Sequence, residues 1–376
     1  MTQPIPIARH KVFLQALQKL RDDIRRRVTL FFYDRPRQPI SQPRNKIVFV
    51  RWDAKLGDTI VKSWVLREIK KYRPDLQIIV IAPQSFMAMY LNDLGADEVV
   101  VSPKKISFAD VRRIAQAVGP VQYVVHLSEH LKPKDIYLLS KIDSKYVMGL
   151  DDEVECINIK IGALTRGKHF ADKVGMLMQH MGISAYDQSY VVPFEQAAQA
   201  RTDAWWPKGP VIAFNPLGRG NARQLSLLTA QLIIEHMLKV TRADILILID
   251  PSQRLFAQTL KSKASQSHRL LLPPDNPNAQ TFNDLFACVR RSQAMVSADT
   301  ATVHIASGLG KPVFAFYNPK QNELDFNFSN WSPNSPLAVC QLARRSQPQT
   351  INAIDLGEFE VLFAGFLNDY APSLKA

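Results

Sequence analysis

The 376-residue sequence has few cysteines: Cys156, Cys288 and Cys340 are far apart, odd in number and show no CxxC spacing. This argues against a disulfide framework or a zinc site and fits a reducing compartment. No apolar run approaches the length of a membrane span. The N-terminus lacks the uncharged apolar core of a signal peptide, so the chain reads as cytoplasmic. Internal repeats and low-complexity tracts are missing, and no Asp-x-Asp pair of the metal-holding kind stands beside a strand end. Asp151-Asp152-Glu153 is acidic but follows Gly149 in a loop and reads as solvated surface. Acidic residues are outnumbered, 34 Asp and Glu against 47 Lys and Arg, for a formal net charge of +13.

The excess of base is local. Residues 1–46 hold eleven Lys and Arg against three Asp, a net +8. Within them, 7–33 reads as one amphipathic helix, because Phe13, Leu17, Leu20, Ile24, Val28 and Phe31 recur at steps of three and four. Pro36, Pro39 and Pro43 then break the helix and form a tether. A basic amphipathic helix of this kind can lie on an anionic membrane surface, with Arg21, Arg25, Arg26 and Arg27 meeting head groups. It can equally pack on its own protein or on a second subunit. Basic charge can also mean nucleic acid, but the charge sits on one helix and no nucleic-acid motif or aromatic platform accompanies it, so no nucleic-acid partner is expected.

Apolar content of 46% and charged content of 22% suit two ordinary domains rather than a disordered chain. Strand and helix patterns alternate throughout, predicting an α/β fold in three parts: 1–44 as helix and tether, 45–195 as a first domain, and 196–376 as a second. Lys46–Val50 reads as a strand running into Arg51-Trp52-Asp53-Ala54-Lys55-Leu56-Gly57-Asp58-Thr59, with a helix from Ile60 to Tyr72. Gly57 permits a tight turn, and Asp58 at the helix start faces the ligand-binding edge of an open sheet. A carboxylate there can act as a base or simply cap the helix. The loop 128–134 brings His130, Lys132 and Lys134 to the same edge.

In the second half, Val211–Asn215 reads as a strand followed by Pro216-Leu217-Gly218-Arg219-Gly220-Asn221-Ala222-Arg223. Glycines such as Gly218 let a backbone approach an anion, and Arg219 and Arg223 can grip phosphate. Further on, Met295-Val296 closes a strand, Ser297-Ala298 leaves it, and Asp299 and Thr300 are cap-forming types ahead of a short helix, Thr302–Leu309. Hydroxyls, a carboxylate and His304 thus meet at a helix start, which offers N–H groups and partial positive charge to a diphosphate. A plain cap with a satisfied histidine would give the same pattern.

Two of these stretches together resemble the ADP-heptose:lipopolysaccharide heptosyltransferases, glycosyltransferase family 9. Val50–Thr59 resembles the family's opening strand, Arg and Leu-Gly-Asp, with Tyr72-Arg73-Pro74 as its Tyr-x-Pro. Asp299-Thr300-Ala301-Thr302-Val303-His304-Ile305-Ala306, with Gly310-x-Pro312, resembles Asp-Thr-Gly-x-x-His-x-Ala-x-x-x-Gly-x-Pro. The resemblance covers about residues 45–320. It implies a GT-B architecture, two Rossmann-like domains facing across a cleft, the first taking the acceptor and the second the nucleotide sugar. It implies inverting, metal-independent transfer of a heptose or similar sugar from an ADP-sugar, with no cofactor, to a lipid-linked lipopolysaccharide core at the inner face of the membrane. Asp58 becomes the base; Asp299, Thr300, Thr302, His304, Gly218, Arg219 and Arg223 surround the donor; Arg51, Gly57 and Lys132 lie on the acceptor side. The chain departs from the family at Ala301, at Arg223-Gln224-Leu225 in place of Lys-x-Trp, and at Asp250-Pro251-Ser252-Gln253, which lacks the usual glycine and glutamate. These departures bear on the donor's identity; a GT-B enzyme of another nucleotide sugar, or a member that binds without turnover, shares the remaining features.

Overall fold

The computed structural model describes residues 7–37, 44–52, 55–274 and 281–376. Pro39, Pro43, Asp53 and Ala54 lie outside the described residues, as does the side chain of Phe13. The chain divides into two compact units, residues 1–54 with 69–166, and residues 55–68 with 167–376.

The first unit opens with α1 (Ile7–Tyr33) and β1 (Lys46–Val50). The next helix, α2 (Leu56–Tyr72), starts among the contacts of the second unit and ends in the first. There follow β2 (Gln77–Pro83), α3 (Gln84–Ala88), β3 (Glu98–Ser102), α4 (Phe108–Val118), β4 (Val121–His126), α5 (Pro133–Lys141), β5 (Ser144–Gly149) and β6 (Ile159–Lys160). All pairings are parallel, in the order β3-β2-β1-β4-β5-β6. Strands such as Ile78–Ala82 are buried throughout, as a parallel sheet covered on both faces requires.

The second unit continues with α6 (Phe170–His180), α7 (Gln196–Asp203), β7 (Val211–Asn215), α8 (Leu227–Val240), β8 (Asp244–Ile247), α9 (Arg254–Lys263), β9 (Leu270–Leu271), α10 (Phe282–Arg291), β10 (Ala294–Ala298), α11 (Ala301–Gly308), β11 (Val313–Tyr317), α12 (Asn327–Trp331), β12 (Ala338–Leu342) and α13 (Leu356–Tyr370). Its parallel sheet runs β12-β11-β10-β7-β8-β9. Counted within each unit, both sheets have the doubly wound order of a Rossmann fold. Each therefore has a switch point, between β1 and β4 in one and between β7 and β10 in the other. A ligand is expected off the carboxyl ends of those strands.

Several sequence expectations need correction. The helix expected to begin at Ile60 starts at Leu56, which puts Asp58 inside its first turn. Ser297 and Ala298 stay in β10 rather than leaving it, because they pair in register with Ala315 and Phe316 of the neighbouring strand, and Ser297 also with Asn215. Asp151 is not solvated surface: it is 3% exposed and receives Arg26 Nη2 at 2.8 Å and the Leu131 N–H at 2.7 Å. Arg26 correspondingly points into the protein and not toward a head group.

Candidate active site

At the switch point of the second unit, Asn215 ends β7 beside Ser297 of β10. Asn215 Nδ2 donates to Thr302 Oγ1 at 3.1 Å, and Thr302 Oγ1 lies 2.8 Å from Ser297 Oγ, which donates to the Ala298 carbonyl. Each hydroxyl can thus donate once and accept once, fixing the start of α11 against both strands. Thr302, expected near the donor, is 2% exposed and belongs to this buried chain. Asn215 Oδ1 accepts the Leu217 N–H at 3.0 Å and so aims the loop that follows.

That loop folds back on itself: Gly218 N–H donates to the Arg223 carbonyl at 2.8 Å, and Leu217 bridges Gln224. A Cβ on Gly218 would stand 2.4 Å from the Arg223 oxygen and 2.9 Å from the Asp299 oxygen. Only glycine lets the loop lie on the backbone ahead of α11. Arg223 Nη1 reaches Asp299 Oδ2 at 3.3 Å, and Asn327 Nδ2 reaches the same oxygen at 3.2 Å. Burial pushes the Asp299 carboxyl above its ordinary pKa, and Arg223 and Asn327 pull against that rise. Asp299 is therefore a buried clamp holding Arg223. Arg219 is exposed.

Thr300 is the N-cap of α11, yet no side chain caps the helix. The cap reading of Asp299 and Thr300 is accordingly not what forms. Uncapped N–H groups at this end suit an anionic ligand. Gly57, in the first turn of α2, packs on the same helix start: a Cβ there would lie 3.2 Å from His304 Cδ2 and 3.3 Å from Ala301 Cα. Asp58 is the next residue and is half-buried.

His304 is 4% exposed, and its Nδ1 has no hydrogen-bond partner among the described residues. Its ring meets Tyr190 and Trp331 edge-on at 6.4 and 6.3 Å. Burial, with His169 nearby, lowers its pKa to about 4, against the opposing pull of Asp58. It is a neutral imidazole at neutral pH.

Beside this helix start lies a cavity of about 740 Å³, lined by Gly218, Arg219 and Gln224 on one side and by Ile249, Pro251, Pro273 and Phe282 on another. Asp250 also lines it, its carboxylate accepting from Ser252 N and Oγ at 2.9 and 2.7 Å. The apolar wall carried no signal in the sequence, because Ile249 and Pro251 follow β8, Pro273 follows β9 and Phe282 opens α10. Among the described residues, no cluster of three or more His, Cys, Asp or Glu is placed to hold a metal.

In the first unit, Asp135 at the start of α5 forms a hub at the β1/β4 switch point. It accepts from Trp52 Nε1 at 3.0 Å and from the Lys132 N–H at 2.8 Å, and its Oδ1 lies 3.0 Å from His126 Nε2. Burial opposes the charge on Asp135, but His126 and these hydrogen bonds prevail and hold its pKa below the ordinary value. Of the residues expected on the acceptor side, Lys132 is exposed here and Arg51 directly follows β1, its N–H donating to the Ile81 carbonyl at 2.8 Å. His126 and Asp135 were not singled out by the sequence, since neither sits in a recognisable motif.

Two Rossmann-type sheets in one chain, each with its loops gathered at a switch point, define the fold of the GT-B glycosyltransferases. Solved structures share it: a family 9 glycosyl transferase from Veillonella parvula superposes with a TM-score of 0.69 at 15% identity, over 88% of this chain and 100% of that one. The E. coli ADP-heptose lipopolysaccharide heptosyltransferase II gives 0.61 at 14%, over 86% and 98%, and E. coli heptosyltransferase WaaC with ADP gives 0.62 at 12%, over 85% and 99%. No protein-family model matches the sequence, and no curated protein matches it.

Proposed function

We propose that this chain is an inverting glycosyltransferase that moves a heptose or similar sugar from an ADP-sugar to the core sugars of a lipid-linked acceptor, a lipopolysaccharide, at the cytoplasmic side of a membrane. One observation carries the reading: Gly57 seats the first turn of α2 on the start of α11, a helix end with no side-chain cap, and the half-buried Asp58 carboxylate that follows is near enough to act on His304. The structures with the same fold include a heptosyltransferase holding ADP, which supports a nucleotide-sugar donor.

In this mechanism Asp58 accepts the proton of the acceptor hydroxyl as its oxygen attacks the anomeric carbon. The bond from that carbon to the diphosphate oxygen breaks, and its electron pair leaves with the nucleoside diphosphate. The α11 N–H groups and Arg219 meet the developing charge. Arg223, held by Asp299, adds a fixed positive group beside them. The apolar wall of the cavity takes the nucleobase, with Asp250 near the ribose. A different nucleotide sugar is the alternative, favoured by Ala301 at the family's glycine position and by the Asp250-Pro251-Ser252-Gln253 turn.

A thermal-shift screen with ADP, UDP, GDP and their sugars tests the donor, and transfer assays on the Asp58→Asn variant test the base. Stabilisation by ADP and ADP-heptose is expected. The variant should bind donor normally and lose about 10²–10⁴-fold in kcat, the usual effect of removing a general base. Stabilisation by UDP compounds alone would move the assignment to the alternative donor, and near-normal turnover by the variant would remove Asp58 from the mechanism.

A further inference from the structure

We infer that the outward face of α1 is a docking surface for an anionic lipid bilayer. The inference stands independently of the transfer reaction. It starts from which side of the helix is fixed to the protein. Arg26 is 7% exposed and donates from Nε to the Leu131 carbonyl at 3.2 Å, from Nη1 to Glu153 at 2.7 Å, and from Nη2 to both oxygens of Asp151 at 3.0 and 2.8 Å. Just past the helix, Asp34 accepts the N–H groups of Glu155 and Cys156, each at 2.8 Å. Tyr33 packs edge-on to Tyr137 of α5 with ring centres 4.8 Å apart.

The apolar stripe faces the other way. Leu17, Leu20, Ile24, Val28 and Phe31 are 46, 56, 53, 50 and 71% exposed. At the helical advance of about 100° per residue, Leu17, Leu20, Val28 and Phe31 fall within about 40° of Ile24. Arg21 and Arg25 follow at about 60° and 100° on one side and Arg27 at about 60° on the other, whereas Arg26 is about 160° away. Asp23 lies at about 100° on the side of Arg27, and Asp22 at about 160°, where it also faces Arg21 at 3.3 Å and Arg25 at 4.0 Å. Rolling the helix to bury the stripe would tear Arg26 from Asp151 and leave a buried carboxylate without its cation, which is strongly destabilising. The stripe therefore cannot be covered by its own unit while that anchor holds.

Charge then selects the occupant. Exposed arginines rim the apolar stripe on both sides. A second copy meeting this one face to face would bring arginine rim against arginine rim, an arrangement that like charge disfavours. An anionic bilayer satisfies both parts at once, taking the stripe to the acyl boundary and the arginines at the head groups. No helix among the described residues is long and apolar enough to cross a membrane, so the contact is one of lying on the surface.

Sedimentation of the full chain with phosphatidylcholine vesicles, with and without phosphatidylglycerol, tests this. Binding is expected only where phosphatidylglycerol is present, and should weaken as salt is added. Joint replacement Ile24→Asp and Val28→Asp should abolish it. Arg21→Ala, Arg25→Ala and Arg27→Ala together should weaken it about 100-fold, near fivefold per charge. These side chains are exposed, so circular dichroism and melting should be unchanged. If the apolar variant fails to fold, the arginine variant, which alters no buried group, carries the test. Absence of pelleting with anionic vesicles overturns the inference, as does equal binding by wild type and arginine variant. A dimer in sedimentation velocity that Val28→Asp dissociates, without vesicle binding, assigns the face to a second copy and overturns it too.

Discussion

His304 offers the sharpest physical test of the site, because its environment fixes both the sign and the size of an effect. The imidazole is buried, and burial with His169 lowers its pKa from 6.5 to about 4 despite the nearby Asp58 carboxylate. Between those two values the unfolded chain binds a proton that the folded chain refuses. Stability must therefore be fully present above the unfolded value and fall as the pH drops from about 6.5 toward 4. From pH 7 to pH 5 the loss from this one group is about 2 kcal/mol, taking 1.36 kcal/mol per unit of pKa difference. Urea titrations at the two pH values read the loss directly. Trp64, Trp205, Trp206 and Trp331 all belong to the unit that holds His304, so their fluorescence reports on the right transition. In His304→Gln the side chain cannot titrate, and the difference between pH 7 and pH 5 should shrink by that amount whatever the variant's baseline stability. His169 is lowered by burial as well and continues to contribute in both proteins. If the variant lost as much stability on acidification as the wild type, His304 would not be the buried neutral group described, and the packing of α2 on α11 would have to be redrawn.

Two other substitutions probe the supports of the site. Gly57→Ala adds a methyl 3.2 Å from His304 Cδ2 and 3.3 Å from Ala301 Cα; overpacking of about 1–3 kcal/mol outweighs a helix-propensity gain of up to about 1 kcal/mol. Melting should fall slightly and kcat more, as Asp58 is displaced, whereas a more stable variant with unchanged kcat would contradict the close approach. Asp135→Asn removes the charge that three hydrogen-bonding groups converge on and should cost about 1–3 kcal/mol near neutral pH. Because the Asp135 pKa is held below its ordinary value, this difference should diminish in acid, below the unfolded carboxylate range; a difference that persists there would argue against an ionised hub.

What the sequence made legible were features whose meaning is local. Lys46–Val50 and Val211–Asn215 are short apolar strands found with the expected bounds, and Phe108–Val118 and Phe282–Arg291 are helices with one apolar face. Ser226 caps α8 through the Thr229 N–H, as its residue type suggests. By contrast α7, Gln196–Asp203, carried no helix signal, because QAAQARTD has no apolar period. It is held by tertiary contacts instead: Ala198 and Thr202 are buried, and Arg201 pairs with Asp284 of α10 at 2.7 Å. The apolar wall of the cavity was invisible for a related reason, being assembled from residues that carry no chemistry of their own.

Arg25-Arg26-Arg27 shows where the boundary between local and distant information falls. The three residues are identical in type and adjacent, and composition assigns them one role. Helical rotation already separates them, since the advance of about 100° per residue puts the middle one opposite the apolar stripe. The angle alone says that Arg26 faces away from the stripe; it does not say toward what. The answer lies in Asp151, 125 positions later in the chain, whose own neighbours made it look like solvated loop. A buried carboxylate and a buried guanidinium each look misplaced until they are paired, and only the fold brings the pair together. Once it has, the same ion pair that corrects both readings is what turns the apolar side of α1 outward.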